Sequence, residues 1–175
     1  VIENLKTWDT AEKVGIITGI TGQDGAYLAH LLLSKGYKVI GVIKDVPNIN
    51  KSRLEYLSIA DQIRWEKCCL TDKKEVLNLL ERNHPDEFYN LAAQSSVFKS
   101  YQDPILTLHF NTLSVATILE SIRERDISIK FYQASSGEMF GNVKTFPITE
   151  NATLYPVSPY AVSKCTAFWL TVNYR

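Results

Sequence analysis

Thr18-Gly19-Ile20-Thr21-Gly22-Gln23-Asp24-Gly25 sets three glycines at three-residue intervals, directly after the apolar run Val14-Gly15-Ile16-Ile17-Thr18 and directly before the helical pattern of Ala26–Leu33. Few folds carry a strand through such a turn into a helix. The glycines allow a tight turn, let backbone N–H groups approach a pyrophosphate, and let the helix pack close to the strand with its N-terminus facing the anion. A glycine triplet alone is a weak signal, but at the first strand-to-helix junction of an alternating pattern it is a specific one. Gly19, Thr21, Gly22, Gln23, Asp24 and Gly25 are therefore candidate dinucleotide-binding residues.

The alternation continues beyond the turn. Gly36 ends the first helix, and Tyr37–Ile43 reads as a second buried strand. A polar loop over Asp45–Asn50 leads to a short helix expected over Lys51–Ala60 and a third strand over Ile63–Glu66. Thr71-Asp72 can cap a helix whose Val76, Leu77, Leu79 and Leu80 share one stripe, with Pro85 marking its end. Phe88–Ala92 gives a fourth strand, Ile105–Arg125 a long helix entered through Asp103-Pro104, and Ile129–Ala134 a fifth strand. Short apolar strands alternating with helices predict an α/β fold, a doubly wound parallel sheet of the Rossmann type that binds NAD(P). Residues 14–175 are expected to form this one domain, preceded by a polar extension over residues 1–13.

Composition narrows the partners. Lys+Arg and Asp+Glu each number 19, so nothing favours nucleic acid or an acidic membrane, and the expected partners are small molecules. No apolar run approaches the ~20 residues that cross a bilayer, and the start of the chain lacks a signal-peptide core, which points to the cytoplasm. Cys68, Cys69 and Cys165 have neither disulfide nor metal-ligand spacing and are expected to be buried free thiols. The chain begins without Met and ends at Arg175 inside a helical pattern, as a piece of a longer protein would.

Which dinucleotide is read at the end of the second strand, where an acidic residue would receive a ribose 2′-hydroxyl and a basic one a 2′-phosphate. Ile43 occupies the acidic position, Lys44 follows it and Arg53 lies close by, so NADP is favoured. NAD is the alternative, should Asp45 face the ribose.

Ligands in parallel sheets bind beyond the carboxyl ends of the strands. The loop after the fifth strand, Ser135-Ser136-Gly137-Glu138, offers a hydroxyl and a carboxylate two residues apart. Ser158-Pro159 then opens a helix that sets Tyr160 and Lys164 on one face. A phenol with a cation held beside it can serve as a base, and the four groups around a nicotinamide suffice for hydride chemistry coupled to proton abstraction. Ser136, Glu138, Tyr160 and Lys164 are the candidate catalytic residues.

Thr18–Gly25 with its Gln23-Asp24, then Tyr89-Asn90-Leu91-Ala92-Ala93-Gln94-Ser95, Phe131-Tyr132-Gln133-Ala134-Ser135 and Tyr155-Pro156 through Lys164 resemble the GDP-mannose 4,6-dehydratases of the extended short-chain dehydrogenase/reductase superfamily. The resemblance runs from about Val14 to Arg175. It implies that Tyr160 takes the proton of the sugar 4-hydroxyl, Lys164 holds the cofactor ribose, Ser136 bonds the 4-oxygen and Glu138 removes the C5 proton and assists loss of the C6 hydroxyl. It also implies cofactor contacts from Lys44, Arg53, Leu70, Leu91, Ala92 and Ala93, and substrate contacts from Ser95, Ser136, Glu138 and Tyr160. The implied substrate is GDP-mannose or a related GDP-sugar, and the implied assembly a homodimer or homotetramer. The part that binds most of the sugar nucleotide in that family is absent from this chain. Departures are Gly137 for a family Ser, Cys68-Cys69 for Gly-Asp before Leu70, Ser96 for His, and Asp45 for the second of two basic residues.

Glu138 discriminates among the alternatives, because a nucleotide-sugar 4-epimerase or reductase of the superfamily has no use for a C5 base. A non-catalytic dinucleotide-binding module is the alternative from another class. His30, His84 and His109 and the three tryptophans read as structural, and Asn111 as a candidate support for the lysine through a water.

Overall fold

A computed structural model describes residues 13–44, 49–143 and 146–175. The expected extension, apart from Lys13, and Asp45 in the polar loop lie outside the described residues. Five strands, β1 (Val14–Thr18), β2 (Lys38–Ile43), β3 (Arg64–Lys67), β4 (Glu87–Asn90) and β5 (Lys130–Gln133), form one sheet in the order β3-β2-β1-β4-β5. Every pairing is parallel. The order reverses between β1 and β4, and that switch point lies where the glycine turn leaves β1.

Alternation along the strands sorts the core onto two faces. Ile16, Ile40, Val42 and Phe88 bury against Val76, Leu79 and Leu80 of α3 (Lys73–Asn83) and Ile118 and Ile122 of α5 (Pro104–Arg125). Ile17 and Val39, one residue out of phase, bury against Ala26, Ala29 and Leu32 of α1 (Gln23–Ser34) and Leu54 of α2 (Ser52–Tyr56). Each fully buried Ile or Leu contributes about 1.5–3 kcal/mol, so both faces of the sheet are anchored. The helix α6 (Pro159–Asn173) packs on α5 through Ala167, Val115 and Leu119.

Side-chain caps mark the helix starts that the sequence signals. Asp72 accepts from the backbone N–H groups of Lys74 and Glu75, Asp103 from that of Leu106 and Ser158 from that of Ala161. Ser96 caps the short α4 (Val97–Gln102) in the same way.

Several boundaries are shifted by a residue or more from expectation, three of them for identifiable physical reasons. The helix expected to reach Ala60 stops at Tyr56, because Ser58 takes a left-handed conformation and the Ile59 N–H donates back to the Leu54 carbonyl, which turns Ile59 into the core. A 3-10 turn at Ala60–Gln62 follows, and β3 starts one residue late because Ile63 is spent on the core. Strand β4 ends at Asn90, because the N–H groups of Leu91 and Ala92 turn to the Thr18 hydroxyl.

The expectation that no apolar stretch approaches membrane length is also corrected. Helix α5 is 22 residues long with a mean hydropathy of 1.3 over its most apolar window, long and apolar enough to span a bilayer by composition. Half of that window is buried inside this fold, and Ser114 and Ser121 return their hydroxyl protons to backbone carbonyls within the helix.

Candidate active site

The phosphate turn is built by backbone contact. Gly19 has φ +67°, and a Cβ there would stand 2.8 Å from the Ala92 nitrogen, so the turn touches the loop after β4 with no room for a side chain. A Cβ on Gly25 would stand 2.4 Å from the Gly19 carbonyl oxygen. Helix α1 starts at Gly22 without a side-chain cap, unlike α3, α4, α5 and α6, which leaves its first-turn N–H groups available to an anion. Arg53 donates to the Thr21 carbonyl at 3.2 Å and holds the turn from outside.

Beside the turn a cleft of about 390 Å³ is lined by Gly19, Thr21, Lys44, Leu70 and Ala92. Lys44 is exposed at the end of β2. Gln23 and Arg53 line a separate hollow on the outer flank of α1, with Tyr27 and Tyr56. Leu91 is packed against the core beneath α1.

At the same carboxyl end of the sheet, toward its β5 edge, Tyr160 and Lys164 lie in the first two turns of α6 and are 8% and 5% exposed. The Lys164 Nζ donates to the Ala134 carbonyl at 3.0 Å and stands 5.9 Å from the centre of the Tyr160 ring. Burial holds the Lys164 ammonium below the ordinary lysine pKa. Ser136 caps a 3-10 turn, Gly137–Phe140, by accepting from the Glu138 N–H at 3.2 Å, which leaves its own proton free to be given elsewhere. Met139 of that turn is buried, and its carbonyl accepts from the Tyr155 N–H at 2.9 Å and lies 3.8 Å from the Cys165 sulfur. The turn is thereby fastened to α6 beside Lys164, while Glu138 remains exposed.

Ser95 lies exposed on the loop after β4. Asn111 holds that loop by accepting from the Gln94 N–H at 2.8 Å and donating to the Gln94 carbonyl at 3.1 Å. It also donates to the Ser163 hydroxyl at 2.9 Å, and Ser163 donates to the Tyr160 carbonyl at 2.7 Å. Asn111 thus ties the loop carrying Ser95 to the turn carrying Tyr160.

Fold and site geometry narrow the chain to one kind of dinucleotide-binding framework, and comparison with known proteins decides which. A family profile described as GDP-mannose 4,6 dehydratase matches residues 16–175. The chain belongs to the GDP-mannose 4,6-dehydratase family. The GDP-mannose 4,6-dehydratase of Yersinia enterocolitica is 41% identical over 170 residues, which covers 93% of this chain and 46% of that protein. GDP-mannose 4,6 dehydratase 1 of Arabidopsis thaliana is 42% identical over 174 residues, covering 93% and 48%. The chain therefore spans about half the length of these relatives. Among solved structures, the UDP-glucose 4-epimerase of Thermus thermophilus in complex with NAD superposes with a TM-score of 0.81 at 26% identity, over 92% of this chain and 50% of that one.

Several cleft residues escape a reading of the sequence. Leu106 and Phe110 read as core positions of α5, and His109 as structural; Phe110 does pack on the core, but all three also line the cleft, with Leu106 56% exposed. Their helical spacing was the available signal, but spacing does not say which stripe of a long helix faces a ligand. Cys69, expected to be buried, is exposed and lines the same cleft, whereas Cys68 is buried with its thiol pushed up to about 12.

Proposed function

We propose that this chain is the cofactor-binding and catalytic part of a GDP-mannose 4,6-dehydratase that uses NADP, with GDP-mannose or a related GDP-sugar as substrate. Membership of the family supports the reaction, and the single observation that carries it is the Ser136–Glu138 turn fastened to the helix that bears Tyr160 and Lys164. The residues present fit a dinucleotide. A Cβ would fill the space at Gly19, α1 is uncapped, and Lys44 stands at the rim of the cleft where a 2′-phosphate would lie. On this reading Gly22, Gln23, Asp24 and Gly25 present backbone to the pyrophosphate, Arg53 braces the turn, and Leu70, Leu91, Ala92 and Ala93 form apolar walls.

A nicotinamide ring bound in such a site supplies an acceptor that takes hydride from carbon and returns it. Tyr160 takes the proton of the sugar 4-hydroxyl, and Lys164, with one N–H on Ala134, offers its others to the ribose and its charge to the phenol oxygen. Ser136 donates its free proton to the sugar 4-oxygen. Glu138 removes the proton at C5, which the 4-keto group makes acidic, and passes a proton to the C6 hydroxyl as it leaves as water. Ser95 contacts the sugar. Glu138 gives the leaving hydroxyl the proton it took from C5, C5 regains a proton exchangeable with solvent when C6 is reduced, and the proton that Tyr160 took from the 4-hydroxyl offsets it, so the net change is loss of one water. Recognition of the guanosine diphosphate falls largely outside residues 14–175 on this reading, and the assembly is a homodimer or homotetramer.

The test is turnover of GDP-mannose in the presence of NADP⁺, followed by the 4-keto-6-deoxy product. Glu138→Gln, which keeps the shape and removes the base, is expected to lower the rate at least a hundredfold while leaving NADP⁺ affinity unchanged. Wild-type rates in that variant would remove Glu138 from the mechanism.

A further inference from the structure

The carboxyl ends of β1, β4 and β5 are joined by a chain of polar side chains, two buried and one half-buried, that none of the catalytic or binding roles above uses. The N–H groups of Leu91 and Ala92 donate to the Thr18 hydroxyl oxygen at 3.1 and 3.0 Å. Thr18 donates to the Asn90 Oδ1 at 2.6 Å, and the Asn90 Nδ2 donates to the Gln133 Oε1 at 2.7 Å. The Gln133 Nε2 donates to the Ala134 carbonyl at 3.0 Å, and that oxygen is the one that receives Lys164, also at 3.0 Å. Thr18 and Asn90 are fully buried.

The direction of this chain is forced by chemistry. Backbone N–H groups can only donate, and two of them occupy the lone pairs of the Thr18 oxygen, so the Thr18 proton must point at Asn90. Asn90 therefore turns its oxygen to Thr18 and its NH₂ to Gln133, and Gln133 turns its NH₂ to Ala134. The far end is a carbonyl, which can only accept. Neither amide can turn round without setting like groups face to face in a buried place. The Ala134 carbonyl is fixed in its turn, because its own N–H donates to the Asn90 carbonyl at 3.1 Å.

We propose that Gln133 is a positioning residue for Lys164, acting through the Ala134 carbonyl, and that Thr18 and Asn90 hold Gln133 in the one orientation that lets it do so. This rests on the reading in which Lys164 serves a bound dinucleotide. Two donors on one oxygen weaken each other, so Gln133 moderates the pull of Ala134 on the ammonium and keeps the remaining two N–H groups of Lys164 free for a vicinal diol such as a ribose. The same chain begins at the Leu91-Ala92 backbone that touches Gly19, so the turn that takes the phosphates and the lysine that takes the ribose share one rigid frame.

Thr18→Val keeps the shape of residue 18 and removes its hydroxyl, which takes the acceptor from the Leu91 and Ala92 N–H groups and the donor from Asn90, and so frees both amides to flip and lets the Gln133 oxygen face the ammonium. Gln133→Leu removes the competing donor outright. Both changes favour the charged lysine. Titration of Lys164 by heteronuclear NMR of its side chain, assigned against Lys164→Met, is expected to show about a threefold rise in proton affinity in both variants. Calorimetry with NADP⁺ is expected to show about fivefold weaker binding in both. Thr18→Ser, which restores the hydroxyl, is expected to match the wild type in both measurements. Unchanged titration and unchanged NADP⁺ affinity in Gln133→Leu, or a Thr18→Ser that behaves as Thr18→Val, would overturn the proposal. Should Thr18→Val fail to fold, Gln133→Leu at the half-buried position decides alone. A wild-type protein that binds no NADP⁺ would count against the proposed function, whereas the NMR titration would still test the coupling.

Discussion

Gly25→Ala puts a methyl group where the structure has none to spare. The ideal Cβ would stand 2.4 Å from the Gly19 carbonyl oxygen, 2.6 Å from the Ile20 Cα and 2.9 Å from the Ile20 carbonyl carbon, against ordinary contacts of 3.4–4 Å. All three neighbours are backbone, so no rotamer change relieves the overlap. Helix α1 and the turn must separate by about 1 Å, which lifts Ala26, Ala29 and Leu32 from Ile17 and Val39. Overpacking of this kind costs about 1–3 kcal/mol, and the better helix propensity of Ala returns less than about 1 kcal/mol. The net loss of about 1–2 kcal/mol lowers Tm by roughly 2–8 °C in a chain of this length. Because the displaced atom belongs to Gly19, the turn loses its shape as well, and NADP⁺ affinity is expected to fall at least tenfold. Urea denaturation and calorimetric titration measure the two effects. Gly137→Ala is the control, since nothing lies within 4 Å of its Cβ position, and it is expected to stay within about 0.5 kcal/mol of the wild type. A Gly25→Ala protein as stable as the wild type and binding NADP⁺ equally well would refute the packing argument.

Two further outcomes follow from charges at the site. Lys164 carries its charge at a cost, because burial lowers its pKa in the folded protein; the cost is full below the folded pKa and disappears as pH rises from there to the ordinary lysine range. Lys164→Met is therefore expected to be more stable than the wild type at pH 7, with the difference shrinking toward pH 10 as the wild type gains stability, and to lose NADP⁺ binding; equal or lower stability at pH 7 in thermal melts would contradict this. Lys44→Glu, at the exposed end of β2, is expected to weaken NADP⁺ binding about tenfold and leave NAD⁺ binding unchanged, and an equal loss for both dinucleotides would remove Lys44 from 2′-phosphate recognition.

Local rules carried the reading of the sequence wherever a residue acts on its own neighbours. Asp72, Asp103 and Ser158 signal helix starts by a side chain that bonds to an N–H two or three residues on, and the structure uses each in that way. Gly19 and Gly25 imply close backbone approach, and both sites show it. The misses are long-range. Where β4 ends is decided by Thr18, more than seventy residues away in the chain, and no pattern within Phe88–Ala92 records that. Helix α5 gives one stripe to the core and another to the cleft, so Phe110 packs on the core as its spacing implies and also reaches the cleft, whereas Leu106 is exposed at the cleft. The frame of Thr18, Asn90 and Gln133 was invisible because its members sit in three strands, each looking like an ordinary strand end.

In the proposed reaction hydride leaves C4 of the sugar and returns to C6 of the same molecule while Glu138 handles the proton at C5. GDP-mannose carrying deuterium at C4, turned over in ordinary water, tests it most directly by NMR and mass spectrometry of the product. The expected product is a 4-keto-6-deoxy sugar with the deuterium at C6 and, when the reaction is run in heavy water with unlabelled substrate, a solvent deuteron at C5. Recovery of a C4 epimer with its deuterium still at C4, or of a 4-keto product with none at C6, would contradict it.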